Sequence, residues 1–234
     1  MSDKLRITII HGQSHKGSTY HIAHMLAQKI NGDITEFFLP RDFAELCIGC
    51  TGCIMQAAEK CPHYAKLQPI TQALDEADVI ILASPVYVYH VTGAMKAWLD
   101  HYGYRWMIHR PEQSMFSKQA VCISTAAGAG MRRTNKDMAD SLFWWGIPKI
   151  YQFGMAISAM NWNLVSAEKM QKIERQTDKI ARKILKRAGH VTVGIKTRII
   201  FGAMRMMQKM SGWNPTDMEY WKQKGWTKHK RPWN

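Results

Sequence analysis

At 234 residues and 46% hydrophobic composition, the chain is long enough to bury one full core and still carry an extension. Its formal net charge of +14 is unevenly placed: residues 182–234 hold 13 Lys and Arg against two acids, a net +11, which leaves +3 for the first 181 residues. That excludes reading the basic balance as the footprint of a nucleic-acid-binding core.

The start of the chain lacks the pattern of a secretory signal, because Asp3, Lys4 and Arg6 run directly into a strand-like segment. The most apolar stretch, 79–95, is interrupted by Ser84, Pro85, His90 and Thr92, so it falls short of the roughly 20 apolar residues a membrane helix needs. A cytoplasmic protein is expected.

Short β-rich runs at 5–10, 34–39, 78–83, 119–125 and 150–157 predict five strands. Helical periodicity falls between and after them, at 18–30, 67–76, 92–102, 135–145 and 167–188. Strand and helix alternating in this way predict parallel strands joined by right-handed crossovers, with helices on both faces. The nearly continuous apolar character of the strands agrees with a sheet covered on both sides. The expected fold is therefore α/β: a flavodoxin-like, doubly wound, five-stranded parallel sheet of order 2-1-3-4-5 over residues 1–188. Ligands bind such sheets outside the carboxyl ends of the strands, at the switch point. Residues 189–234 read as a basic, Met- and Trp-rich C-terminal extension. A helix over 191–210 would gather Ile195, Ile199, Met206 and Met210 on one side, with Lys196, Arg198, Arg205 and Lys209 elsewhere.

The first strand runs into His11-Gly12-Gln13-Ser14-His15-Lys16-Gly17-Ser18-Thr19 and then a helix. Free backbone N–H groups and the positive end of the helix dipole make such a junction an anion site. A plain loop with Ser18 as helix N-cap satisfies the same residues. A Walker A loop needs Lys and then Ser or Thr after its last glycine, whereas Ser18 follows Gly17 directly. A dinucleotide fingerprint needs three spaced glycines, and only Gly12 and Gly17 are present. A terminal monophosphate fits best.

The third strand leads into Ser84-Pro85-Val86-Tyr87-Val88-Tyr89-His90-Val91-Thr92-Gly93-Ala94-Met95-Lys96, followed by Leu99-Asp100. Together with the first loop, this Ser-Pro-x-Tyr turn and Thr-Gly-x-x-Lys sequence closely resembles the NAD(P)H-dependent FMN reductase and iron-sulfur flavoprotein branch of the flavodoxin-like superfamily. The resemblance spans roughly residues 5–185. It implies FMN held by three loops: Ser14, Lys16, Gly17, Ser18 and Thr19 at the phosphate; Pro85, Val86, Tyr87 and Val88 along the ring; and Thr125, Ala126 and Gly128 in a third loop of small residues. Tyr89 is assigned to ordinary packing. It also implies an NAD(P)H oxidoreductase that passes electrons to a small acceptor such as a quinone or a flavin. No catalytic side chain is assigned, because the cofactor carries the chemistry. His90 and His101 are noted near the expected site. A flavodoxin-type electron carrier, or an FMN-binding protein without a substrate of its own, is the alternative. The small net charge of the first 181 residues weakens it, since such carriers usually dock through acidic surfaces.

Four of the five cysteines, Cys47, Cys50, Cys53 and Cys61, lie within 15 residues. They resemble the compact cysteine motif of iron-sulfur flavoproteins, which implies a 4Fe–4S cluster. Four reduced, metal-free thiols are the competing reading, and structural zinc is a weaker one. Cys122, alone in a strand, is assigned to packing. The tryptophans of the extension require burial, for which packing against another subunit of a homodimer or higher oligomer is the favoured expectation and contact with an anionic membrane the second.

Overall fold

The structure is a computed structural model that describes residues 4–210 and 214–234. Trp213, one of the aromatic residues of the predicted extension, lies outside the described residues.

Five strands, β1 (Arg6–His11), β2 (Asp33–Phe38), β3 (Val79–Ala83), β4 (Gln119–Ala126) and β5 (Lys149–Ala156), form one parallel sheet of order β2-β1-β3-β4-β5. Ile7 pairs with Ile34 on one side and Val79 on the other, which makes β1 central and puts the switch point between β1 and β3. β3 is buried at every residue, because helices cover both its faces.

On one face, α1 (Ser18–Ile30) and α6 (Ala167–Leu185) pack Ile22, Leu26, Ile173 and Ile184 onto Ile9, Ile81 and Ile123. On the other, α3 (Tyr64–Glu76), α4 (Gly93–Asp100) and α5 (Met131–Trp144) pack Leu74, Trp98, Met138 and Leu142 onto Ile10, Ile80 and Leu82. Two helices were not expected: the single turn α2 (Gly52–Met55) and α8 (Pro215–Gln223), which joins α7 (Ile195–Met210) in the extension. In α8 the Asn214 side chain caps the Thr216 amide at 3.1 Å and Pro215 opens the first turn, a start signal readable in the sequence.

Some predicted boundaries move. α3 starts three residues early and contains Pro69. α5 starts at Met131 rather than 135, because Gly130 at φ 103° turns the chain straight into the helix. The helix predicted to begin at 191 begins at Ile195, after Val193 has been buried.

The extension has its own aromatic core. Phe201 stacks on Trp221 at 4.7 Å, and Trp226 is buried with both against Met107 and Phe116. Trp221 Nε1 donates to the His109 carbonyl at 2.6 Å. The aromatic residues that led the sequence reading to a partner subunit are thus covered within the chain. Among the described residues, no helix is long and apolar enough to cross a membrane.

Candidate functional site

Three loops leave the carboxyl ends of β1, β3 and β4, so the sheet brings 12–17, 84–92 and 127–130 to one edge. In the first, the N-cap of α1 is Gly17, not Ser18, and no side chain caps the helix. The first-turn amides are therefore open, and no acidic residue stands in that turn to compete with an anion. Ser14 and Lys16 are exposed, and the Lys16 ammonium sits 5.1 Å from the Tyr20 ring centre and 5.7 Å from that of Phe38.

The second loop is a tight hairpin. Tyr87 and His90 exchange backbone bonds of 2.9 and 3.0 Å, with Val88 (φ 49°) and Tyr89 (φ 66°) at its tip. Both central residues are left-handed where Asn-Gly is the usual solution, and a β-branched valine there stores strain. Tyr89, assigned to packing from the sequence, is 61% exposed because the turn swings it away from the core. The Val86 amide donates to the Thr125 carbonyl and the Tyr87 amide to His90, so within Val86–Val88 only the Val88 amide stays open to a ligand. Val88 itself is 92% exposed.

The third loop is held against the other two. Thr19 Oγ1 and Thr125 Oγ1 are 2.5 Å apart and buried, which binds the start of α1 to the end of β4. Tyr87 Oη donates to Gln13 Oε1 at 2.8 Å, and Thr92, the N-cap of α4, donates to the Gly12 carbonyl at 2.5 Å. A Cβ at Gly130 would meet Val86 Cγ1 at 2.6 Å, so the second and third loops are in contact there. Ala126 is half-buried and Gly128 exposed, and nothing lies within 4 Å of the side-chain direction of Gly128. An open amide turn, a strained apolar hairpin and a small-residue loop, all cross-tied, suit a planar ligand with a terminal anion.

These observations agree with a comparison against known proteins, in which residues 5–160 match the family described as NADPH-dependent FMN reductase. The chain belongs to the NADPH-dependent FMN reductase family. It is an NAD(P)H-dependent flavin oxidoreductase, with FMN the family's cofactor. It is similar to an iron-sulfur flavoprotein of Archaeoglobus fulgidus, 27% identical over 184 residues that span 76% of this chain and 78% of the relative. Among solved structures, it is similar to an FMN-dependent NADH-azoreductase from Bacillus anthracis in complex with FMN, with TM-score 0.55, 13% identity, and 76% of this chain and 99% of that one covered. An NAD(P)H:quinone oxidoreductase from Methanothermobacter marburgensis gives TM-score 0.55, 12% identity and the same coverage. At such identities the likeness shows the fold.

The cysteine segment follows β2 and lies beside the extension rather than inside the three loops. Cys47 and Cys50 are exposed, Cys53 and Cys61 half-buried, and Cys122 is buried in β4, where burial pushes its thiol up. Burial raises the Cys53 thiol first, and the charges of Cys61, Cys47 and Cys50 add to it, so the four sulfurs form one group. Among the described residues, no three of those sulfurs come within 4.8 Å of one another, which is wider than a mononuclear zinc centre with Zn–S bonds of about 2.3 Å would hold them. Arg110 fixes the segment by donating to the Cys53 carbonyl and, at 2.8 Å, to that of Ile54.

Two histidine clusters escaped the sequence reading. His101 is buried beneath the cysteines, not beside the loops: its Nδ1 bonds the Ala97 carbonyl at 2.7 Å and its Nε2 meets His63 Nδ1 at 2.9 Å, next to Cys61. His11 and His24 share Glu36 Oε2 at 3.1 and 2.8 Å below the phosphate loop. His90 stands at the hairpin, 2.9 Å from Asp137. The largest cavity, about 780 Å³, lies between the cysteine segment and α8, lined by Gln56, Tyr64, Tyr104, Arg105 and Tyr220, and the three loops are an open crevice by comparison.

Proposed function

We propose that the chain binds FMN across the three loops and passes electrons from NAD(P)H to a small acceptor of the quinone or flavin class. The observation that carries this reading is the cross-tying of the three loops around an uncapped helix N-terminus. The amides of the first turn of α1, with the hydroxyls of Ser14 and Ser18 and the charge of Lys16, hold the phosphate. Thr19 contributes its amide, while its hydroxyl fixes the third loop. Pro85, Val86, Tyr87 and Val88 line one side of the ring, and Thr125, Ala126 and Gly128 admit its edge by being small. FMN, when bound, supplies the hydride and electron transfer, and the protein supplies orientation.

The test is anaerobic addition of NADPH and of NADH to flavin-loaded protein, followed at the visible flavin band. Bleaching is expected. Protein that refuses FMN, or whose FMN affinity is untouched by Ser18→Ala with Thr19→Ala, overturns the site. Bound FMN indifferent to both nicotinamides would instead support a carrier.

The grouped thiols favour a second element, a 4Fe–4S cluster on Cys47, Cys50, Cys53 and Cys61, for which soft iron sites and thiolate ligands are matched. Supporting it are the mutual influence of the four sulfurs, their wide spacing, and the name of the similar archaeal flavoprotein. Iron and acid-labile sulfide in anaerobically isolated protein, lost in Cys50→Ser, is the expected result. Iron-free protein with full flavin reduction would leave an FMN-only reductase.

A further inference from the structure

Helix α7 presents two opposite faces. Thr197, Phe201 and Gln208 point inward, with Phe201 in the aromatic core and Gln208 Nε2 bonded to the Ile108 carbonyl at 2.8 Å. The outward face carries Ile195 at 77% exposure, Ile199 at 66%, Met206 at 63% and Met210 at 75%. Spacings of four, seven and four residues align these side chains in one stripe along about 24 Å of helix. Gly202 falls on the same stripe and keeps it flat, with nothing within 4 Å of its side-chain direction. Single exposed apolar residues need no explanation, but a continuous stripe on an otherwise packed helix does.

Charge selects the occupant. No Asp or Glu occurs between Asp178 and Asp217, while nine Lys and Arg do. Arg198 and Lys209 flank the stripe on one side and Lys196 on the other, and the helix itself holds no acid. Lys196 and Arg198 are steadied over the Phe143 and Trp233 rings, at 4.4 and 5.9 Å. Burial, and then the charge of Arg205, lower the Arg231 guanidinium, so cations crowd one another here without a neutralising carboxylate. A second copy of the chain on this face would set the same cations against themselves, since a two-fold interface is self-complementary. A protein partner is commonly anchored by Trp and Tyr in pockets, and here the aromatic residues are turned inward, leaving only Ile and Met on a flat stripe. A helix with shallow apolar residues between basic flanks suits the interface of an anionic bilayer.

We propose that α7 docks this protein on an anionic lipid surface, the Ile195–Ile199–Met206–Met210 stripe entering the headgroup boundary and the flanking Lys and Arg meeting lipid phosphates. This does not depend on the flavin reading.

The test is co-sedimentation of the full chain with vesicles of phosphatidylcholine, with and without phosphatidylglycerol, alongside sedimentation velocity without lipid. Binding should require phosphatidylglycerol and weaken with salt. Ile199→Asp with Met206→Asp should reduce it by roughly tenfold or more, and Lys196→Gln with Lys209→Gln should weaken it more at low salt than at high. All four positions face solvent, so both variants should keep the wild-type circular dichroism and unfolding midpoint. No preference for the anionic vesicles, or equal binding by the aspartate variant, overturns the proposal. A lipid-free dimer that the aspartate variant dissociates, with no vesicle binding by either, overturns it in favour of a subunit interface.

Discussion

Thr19 Oγ1 lies 2.5 Å from Thr125 Oγ1, and this buried contact joins the helix end that would hold a phosphate to the strand end that would hold a ring edge. The two residues are 106 positions apart in sequence. A single Thr125→Val change leaves the Thr19 hydroxyl buried without its partner and should cost about 1–3 kcal/mol in urea unfolding. The double change Thr19→Val with Thr125→Val removes both polar groups and should recover much of that loss. FMN titration should be weakened by the single change. A double mutant no more stable than the single one would show that the contact is not what joins the loops.

Burial holds His11 at about 4 against its ordinary 6.5, with the bond and charge of Glu36 opposing the shift. A histidine depressed in the folded state lets the unfolded chain take up the extra proton between about 4 and 6.5. Stability is then complete above 6.5 and is lost as the pH falls toward 4. Each pH unit in that window removes at most about 1.4 kcal/mol through this group. His21 and His101, both lowered chiefly by burial, act in the same direction. His11→Gln keeps a donor for Glu36 but cannot titrate. Urea midpoints measured from pH 7 to 4.5 should fall less steeply in that variant, and an unchanged slope would rule out His11 as the main contributor.

The sheet was legible because its strands are β-branched and apolar between turn residues, and a sheet buried on both faces leaves few other solutions for such runs. β3 reads Val-Ile-Ile-Leu-Ala and is buried throughout. The position of the loops followed from strand order alone. What the sequence could not give was pairing across distance: nothing local in Thr19 announces Thr125, and nothing in Val86 announces that its amide is taken by the Thr125 carbonyl. His11, His24 and Glu36 come from two strands and a helix, so no spacing motif marks them. The fate of the extension's tryptophans was similarly hidden. Their need for burial was readable, but that Phe116 and Met107 of the main body would cover them was not.

Val88 at φ 49° and 92% exposure combines a disfavoured backbone with an uncovered apolar side chain. An L-residue held left-handed costs roughly 1–2 kcal/mol, more for a β-branched one, and such strain concentrates at ligand clamps. Val88→Asn suits the turn better. The flavin-free protein should gain about 1 kcal/mol, which is about 2–4 °C in Tm for a chain of this size, while FMN affinity falls because the apolar wall is lost. Calorimetry with and without FMN checks both signs. A variant less stable without flavin would show that the hairpin is not strained.

Asp217 is fully buried at the start of α8 and accepts from Arg110 and from His109 Nδ1, the latter at 2.7 Å. The same Arg110 guanidinium donates to the carbonyls of Cys53 and Ile54, so one carboxylate links the extension to the cysteine segment. Asn214 and Thr216 add bonds of 2.8 Å to the Ile54 and Met55 carbonyls. Removing one partner of a buried pair leaves the other charge uncompensated, which typically costs 3–5 kcal/mol. Asp217→Ala should therefore release α8 while the sheet, whose clusters contain no residue of the extension, stays folded. Three readouts should move together: tryptophan emission shifts to the red as Trp221 and Trp226 meet water, a protease cuts after 189, and Cys53 reacts faster with a thiol reagent because Arg110 no longer holds its backbone. Asp217→Asn, which keeps an acceptor of the same shape, should show smaller changes in the same order. If Asp217→Ala exposed the tryptophans but left Cys53 reactivity at the wild-type rate, the extension would be anchored by its aromatic core alone and the cysteine segment would be held independently of it.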